Sequence, residues 1–181
     1  GESKLMFETL LKWYHELHGL EFVAFRYFNA AGASDNFGEH HRHETHLIPC
    51  LLQTALGQRE TFSLFGTDHP TPDGTCIRDY IHVEDLAKAH VMALEYMAGG
   101  GESRVLNCGY GRGFTVREVI DVVKRQSGND FPVQETGRRA GDPAALMADN
   151  SRIKKVLGWQ PDYDDLDTIV GTALAWEKIW Q

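Results

Sequence analysis

Three arginines lie in two loop-like blocks whose composition suits a phosphorylated ligand. Arg78 stands beside Asp79 after the stretch GTDHPTPDGT, and Arg138 and Arg139 precede Asp142 in GRRAGDPA. A guanidinium group offers a planar fork of donors that matches phosphate oxygens in pairs. A carboxylate nearby can accept from ribose hydroxyls. A single arginine is more often a surface or salt-bridge residue, but two such blocks in an acidic chain predict a diphosphate clamp.

A third block, RYFNAAGAS at 26–34, closes an aromatic strand with a polar residue. The preceding run EFVAFRYF, at 21–28, is short, apolar and aromatic, as in a buried strand. Open α/β sheets place ligands outside the carboxyl ends of their strands. Asn29 is therefore a candidate ligand contact.

Strands and helices alternate along the chain, which predicts an α/β fold. The first helix is predicted from a Ser3 cap to about His18, with an apolar side and with Gly19 as its stop. Further helices are predicted at 47–57, 83–98, 115–128, 150–159 and 166–180, and short strands at 61–66, 77–83, 104–109 and 131–136. Glu84 and Asp85 are expected to face the positive end of the helix dipole at 83–98.

One glycine-rich turn, GYGRG at 109–113, lies between a predicted strand and a predicted helix. A dinucleotide-binding turn would have the spacing GxGxxG and an acidic ribose-binding residue on a following strand. Neither feature is present here. The segment is therefore interpreted as a tight turn that leads into a Thr115 helix cap.

Composition limits the classes of partner. The chain has 18 Lys plus Arg and 26 Asp plus Glu, for a net charge of −8, and this argues against nucleic acid or a membrane surface as a partner. No apolar run has the length of a membrane span, and no signal-peptide pattern opens the chain. Three cysteines without a CxxC pair predict buried, reduced thiols and a cytoplasmic protein.

Two other clusters have a functional and a structural interpretation. The histidine-rich segment GEHHRHETH at 38–46 resembles a metal site, but it lacks HExxH spacing, and a polar loop without metal is the favoured interpretation. Asp79 and His82 are spaced like part of a hydrolytic triad. No GxSxG motif accompanies them, so a structural polar network is predicted.

Taken together, these blocks resemble the UDP-glucose 4-epimerases of the extended short-chain dehydrogenase/reductase family. The resemblance runs from SKLMFE through YFNAAGAS, HLIP, GTDHPTPDGTCIRDYIHVEDLA and RRAGDPA to LGWQPDYDDLDTIV. It is to the C-terminal half of that family. It implies that 1–181 form mainly the UDP-sugar-binding region, with the last strands and helices of a Rossmann-type domain and its small substrate-binding domain, and without the N-terminal NAD-binding half.

The resemblance also implies residue roles. Lys4 matches the lysine of the catalytic YxxxK motif, where a cation beside the tyrosine favours phenolate. Lys4, Tyr27 and Phe28 are implied to contact NAD. His46 stands where the family often has Asn, and Leu146 where a residue limits hexose size. The implied substrate-binding residues are Asn29, His46, Leu47, Ser63, Leu64, Phe65, Arg78, Arg139, Asp142 and Leu146.

The implied activity is the interconversion of UDP-glucose and UDP-galactose, in galactose metabolism, by transient oxidation at sugar C4 with tightly held NAD. A homodimer is also implied. This chain alone is expected to be inactive, because the YxxxK tyrosine and the glycine-rich NAD motif are missing from it. Two alternatives remain open, namely another NAD-dependent UDP-sugar dehydratase or decarboxylase, and a non-catalytic nucleotide-sugar-binding or dimerisation module.

Overall fold

The computed structural model describes residues 1–180 and contains six α-helices and a short terminal 3-10 helix. The α-helices are α1 (Glu2–His18), α2 (Leu47–Ala55), α3 (Val83–Ala98), α4 (Val116–Ser127), α5 (Ser151–Leu157) and α6 (Leu166–Glu177). The nine strands within this range are β1 (Val23–Tyr27), β2 (Asn29–Ala31), β3 (Phe62–Phe65), β4 (Ile77–Arg78), β5 (Tyr80–His82), β6 (Arg104–Cys108), β7 (Phe114–Thr115), β8 (Val133–Thr136) and β9 (Ala145–Leu146). The predicted alternation of strands and helices is confirmed.

The centre of the fold is a nearly continuous extended segment, β1 followed by β2, that changes its partner at Phe28. β1 pairs in parallel with β6, whereas β2 pairs in parallel with β5. The Phe28 N–H donates to Cys108 O, and the Asn29 N–H donates to Asp79 O. Helix α3 connects β5 to β6, so this part of the fold is a β–α–β unit with parallel strands.

Two further sheets are formed by the remaining strands. β3 pairs in parallel with β8, and β4 lies between antiparallel β7 and parallel β9. In this register Arg78 is opposite Leu146 on one side and Phe114 on the other. The second of these sheets therefore brings the strand that contains Arg78 beside the strand that follows GRRAGDPA.

The hydrophobic core lies where helices α2, α4 and α6 pack on one another and on the strands. Helix α4 is well specified locally, because Thr115 and Glu118 form a capping box and Gly128 ends the helix with φ +73°. The predicted Thr115 cap and glycine stop are thereby confirmed. Leu51, Leu106, Ile153 and Ile169 are among the fully buried side chains.

Helix α1 differs from its prediction at its start. The N-cap is Gly1, without a side-chain capping bond, so Ser3 lies inside the first turn and the predicted Ser3 cap is wrong. Gly19 ends the helix in the left-handed conformation, as predicted, with φ +69°. No residue of α1 is buried, and its apolar side is exposed.

The three cysteines, Cys50, Cys76 and Cys108, are buried and free, as predicted. Burial raises the pKa of the Cys108 thiol to about 12, so this thiol is held in its neutral form. Within residues 1–180, no helix is long and apolar enough to cross a membrane.

Candidate functional site

The Arg78 side chain is held by its neighbour in β4 and by the loop before β9. Its Nη1 donates to Ile77 O and to Pro143 O at 2.8 Å, and its Nη2 contacts Asp142 Oδ1 at 3.4 Å. The side chain is only 15% exposed. A guanidinium carries five N–H groups, so the Nε–H and one Nη2–H keep no partner within the described chain. These two groups can donate to a ligand.

Arg139 is oriented differently, because its guanidinium stacks on an aromatic ring. Its Cζ lies 3.8 Å from the ring centroid of Phe65, at the end of β3. No hydrogen bond holds the guanidinium among residues 1–180, so its donor edges are free for an acceptor. Backbone contact joins it to the Arg78 group, since the Asp142 N–H reaches Arg139 O at 3.4 Å.

The neighbouring Arg138 has a structural partner. Its Nε donates to Asp68 Oδ1 at 2.7 Å, and a second nitrogen contacts Asp68 O. The hydrogen bond from Arg138 lowers the pKa of Asp68. Arg138 therefore ties the loop at 137–144 to the loop after β3, while Arg139 remains available.

The other predicted substrate contacts lie on nearby strands. Ser63 is half-buried on β3, whereas Leu64 points into the core and can offer a ligand only its backbone. Leu146 is exposed and lies opposite Arg78 in the register. Asn29 follows β1, where its Nδ2 donates to Asp79 O at 2.7 Å.

Lys4, Tyr27 and Phe28 form a separate part of the surface. Lys4 is exposed on α1, and this helix is tied to β1 by a paired interaction of Glu8 with Arg26. The Tyr27 hydroxyl is hydrogen-bonded to His90 Nε2 at 2.8 Å. Within the part of the chain that the structure describes, no hydrogen bond, ion pair or ring contact joins Lys4 or Tyr27 to the arginine group.

Asp79 organises the interior beneath these residues. Its Oδ1 accepts from the Tyr110 N–H at 2.9 Å, and its Oδ2 accepts from the N–H groups of Gly111 and Ala148 at 2.8 and 3.0 Å. Two N–H groups of the GYGRG turn, those of Tyr110 and Gly111, are thus bound by a carboxylate and are not available to a pyrophosphate. The polar network predicted for Asp79 is confirmed.

His82 belongs to the same buried network. Its Nδ1 accepts from the Glu84 N–H, and its Nε2 lies 3.0 Å from Thr172 Oγ1, so the neutral ring is satisfied on both sides. Burial lowers the pKa of His82, although nearby acidic groups act in the opposite direction. Gly32 is required beside it, because a Cβ there would lie 2.4 Å from the His82 ring and φ is +80°.

Asp85 has a different role from the one that the sequence suggests. It is in the first turn of α3, as predicted, but it is fully buried and accepts from the N–H groups of Asp162 and Tyr163. The Tyr110 hydroxyl also donates to it at 2.5 Å, and burial together with this bond raises the pKa of Tyr110. Tyr110 had no role in the sequence interpretation, since only the fold brings it beside Asp85.

His46 and Leu47 lie where α2 begins, His46 as the N-cap and Leu47 as the first helical residue. His46 is exposed, and its Nδ1 contacts the carboxylates of Glu39 and Glu44. Burial alone would raise the pKa of Glu44, but hydrogen bonds from the backbone N–H groups of His46 and Thr45 lower it. The loop before α2 therefore holds an ionised carboxylate against the helix start.

Comparison with known proteins finds several UDP-glucose 4-epimerases that this chain resembles in sequence and in structure. The chain is 49% identical to the UDP-glucose 4-epimerase of Halalkalibacterium halodurans, over 98% of this chain and 54% of that protein. A crystal structure of UDP-glucose 4-epimerase from Brucella ovis in complex with NAD matches with a TM-score of 0.93 at 46% identity, over 96% of this chain and 54% of that one. The enzyme from Bifidobacterium longum, in complex with NAD+ and UDP, matches with a TM-score of 0.91 at 36% identity, over 98% and 54%.

The chain thus spans about half the length of the curated relatives it matches. The Rossmann-like α/β fold class expected from the sequence is confirmed by these structures. The family described as NAD dependent epimerase/dehydratase matches residues 1–109, more than half of the chain. This protein therefore belongs to the NAD dependent epimerase/dehydratase family.

Proposed function

We propose that this chain is part of a UDP-hexose 4-epimerase and supplies the residues that bind the UDP-sugar. The observation that carries the proposal is the pair of guanidinium groups with free donors, Arg78 and Arg139, connected through Asp142. A diphosphate offers acceptors on both phosphates, and arginine binds such oxygens in pairs. The relatives named UDP-glucose 4-epimerase indicate which nucleotide sugars to test.

In this proposal each part of the ligand has its own contacts. Phe65 and Ser63, both on β3, contact the uridine. Asp142 accepts a hydrogen bond from a ribose hydroxyl, and Asn29 faces the hexose. Leu146 lies beside Arg78 and restricts the size of the sugar, so its side chain sets the tolerance for N-acetylated hexoses. His46 and Leu47 complete the uridine side from the start of α2.

NAD is the proposed cofactor. When bound, it would accept a hydride from sugar C4 and then return it. The exposed Lys4 and the Tyr27 hydroxyl at the carboxyl end of β1 fit its nicotinamide end, together with Phe28. The ammonium of Lys4 would stabilise the phenolate of a neighbouring catalytic tyrosine. The turn at 109–113 does not fit the pyrophosphate of NAD well, because Asp79 already binds the Tyr110 and Gly111 N–H groups.

We propose that the pyrophosphate-binding residues lie in another part of the enzyme, since the chain spans about half the length of its curated relatives. The proposal that this chain is the C-terminal half of the enzyme rests on the family resemblance of its sequence blocks. The isolated chain is expected to turn over no UDP-galactose, and measurable epimerisation by it would contradict the assignment.

The substrate assignment is tested with the intact protein that contains this chain. Arg139→Ala is expected to weaken UDP binding roughly 10- to 100-fold, since a hydrogen bond to a charged group contributes about 1.5–3 kcal/mol. The matched control is Arg138→Ala, because Arg138 is adjacent but bound to Asp68. Equal losses in the two variants, measured by titration calorimetry, would contradict a specific role for Arg139.

The reaction is tested by supplying UDP-galactose to the intact protein and identifying the product. UDP-glucose is the expected product. A dehydrated or decarboxylated sugar would favour another enzyme of the same family, and binding without any turnover would favour a non-catalytic module.

We also propose that the protein forms a homodimer that uses α1. This helix buries no residue and exposes large apolar side chains, and such a surface is normally covered in a folded assembly. The exposed set is Leu5, Met6, Phe7, Leu10, Trp13, Tyr14 and Leu17. Light scattering that gives a monomer mass at every concentration of the intact protein would contradict the dimer.

A further inference from the structure

The loop before α2 brings four potential metal ligands together. Glu39, His41, Glu44 and His46 each offer one potential ligand atom, and these atoms all lie within 4.8 Å of one another. Glu39 Oε1 lies 2.8 Å from His41 Nδ1 and also contacts His46 Nδ1. Glu44 completes the group, at 3.4 Å from His41 Nδ1 and 3.3 Å from His46 Nδ1.

The spacing of these residues did not predict a metal site, since HExxH requires two histidines on one helix. Here the ligands come from a loop and from the N-cap of α2, and only the folded loop brings Glu39 next to His46. Two carboxylates so close together create a negative site. A cation between them reduces their repulsion and bonds to all four groups.

The donor set indicates the class of ion. Two imidazole nitrogens and two carboxylate oxygens match the ligands and the coordination number of Zn²⁺, and imidazole also suits Cu, Fe and Ni. Mg²⁺ and Ca²⁺ prefer oxygen ligands, so they are disfavoured here. The His41 and His46 side chains are 53% and 63% exposed, so the site is open to ions from solvent.

The surrounding contacts hold the ligands in place before an ion binds. Glu44 is 4% exposed, and its Oε1 accepts from the N–H groups of Thr45 and His46 at 2.7 Å. Arg59 donates to Glu44 O at 2.9 Å. Supporting bonds of this kind orient the ligands of known metal sites.

A second anchor fixes the other end of the loop. Trp176 Nε1 donates to Glu39 O at 3.0 Å, so helix α6 holds the backbone of this ligand. Gly38 lies directly against the same indole, where a Cβ would approach ring atoms to 2.4 Å. The loop is thus held at both ends of the ligand group.

We propose that Glu39, His41, Glu44 and His46 form a binding site for a divalent transition-metal ion of the Zn²⁺ class. The ion joins the loop at 38–46 to the start of α2. Metal binding at these residues does not depend on the proposed enzymatic activity, and its readout is separate from turnover.

The test uses the intact protein after removal of metals with a chelator. Titration calorimetry with ZnCl₂ alone is expected to show saturable binding. The His41→Ala and Glu39→Gln variants are expected to bind Zn²⁺ more than about 100-fold more weakly, since changes to supporting residues alone weaken known sites about 10- to 100-fold. The matched control is His43→Ala, which removes an exposed histidine of the same loop that is outside the group.

Co²⁺ provides a second measurement, because its visible absorption reports the geometry of its ligands. The wild type and His43→Ala are expected to give the same Co²⁺ spectrum, and His41→Ala to lose it. Circular dichroism shows whether each variant is folded, and Glu39→Gln keeps the test decisive if His41→Ala fails to fold. No saturable Zn²⁺ binding, or an equal loss in His43→Ala, would overturn the proposal and leave a hydrogen-bonded His–Glu network.

Discussion

The buried Asp79 carboxylate joins the segment that contains Arg78 to the segments at 110–111 and 148. It follows Arg78 in the chain, its own N–H donates to Leu146 O, and its side chain binds three backbone N–H groups. Asp79→Asn is a nearly isosteric change that removes the charge and one acceptor. We expect it to destabilise the protein by about 3 kcal/mol.

The magnitude follows from the three hydrogen bonds. If the amide oxygen takes the position of Oδ2, it keeps the bonds from Gly111 and Ala148, and the amide NH₂ then faces the Tyr110 N–H. One charge-assisted bond, about 1.5–3 kcal/mol, is lost, and each remaining bond weakens by roughly 1 kcal/mol. Relief of the buried charge offsets part of this sum.

The assay is denaturant unfolding of the intact protein, with Asp121→Asn as control. Asp121 is an exposed carboxylate on α4, and a surface change of this kind normally alters stability by no more than about 0.5 kcal/mol. A free energy of unfolding for Asp79→Asn within about 0.5 kcal/mol of wild type would refute the reasoning. Such a result would mean that the three N–H groups do not depend on the carboxylate.

Two further predictions concern a helix cap and a buried histidine. Thr115→Ala removes the bond from the Glu118 N–H and should lower the free energy of unfolding by about 1 kcal/mol, measured in denaturant, and no change would contradict the capping box. The lowered pKa of His82 means that the unfolded chain takes up a proton more readily as pH falls below about 6.5. The free energy of unfolding should therefore decrease with falling pH, and this group contributes up to about 1.4 kcal/mol per pH unit to that decrease. His82→Gln should remove this contribution to the slope of stability against pH between about pH 7.5 and pH 5.5. Equal slopes of stability against pH in the wild type and in His82→Gln would contradict this prediction.

Local signals predicted several elements correctly, because those elements depend on neighbouring residues. The capping box at Thr115 and the glycine stops at Gly19 and Gly128 involve contacts within a few positions of the chain. Helix α3 was predicted with its observed bounds for the same reason. The Ser3 cap was wrong, because the helix begins earlier, with Gly1 as its N-cap, and Ser3 is already its second residue.

Site residues were harder to predict where their partners are distant in the chain. Asp85 has the charge that suits a helix start, but its partners include Tyr110 and Tyr163, which only packing brings near it. Likewise, nothing in the spacing of Arg139 indicates that it stacks on Phe65.

The sequence by itself determined the alternation of strands and helices, the acidic balance of the chain and the blocks that carry its family resemblance. Periodicity, caps and composition are local properties, so they can be read without coordinates. The tertiary structure alone decided which of the two neighbouring arginines is free, and that Asp79 binds two N–H groups of the GYGRG turn. It also decided that two glutamates and two histidines meet before α2, because contacts between distant residues depend on how the whole chain packs.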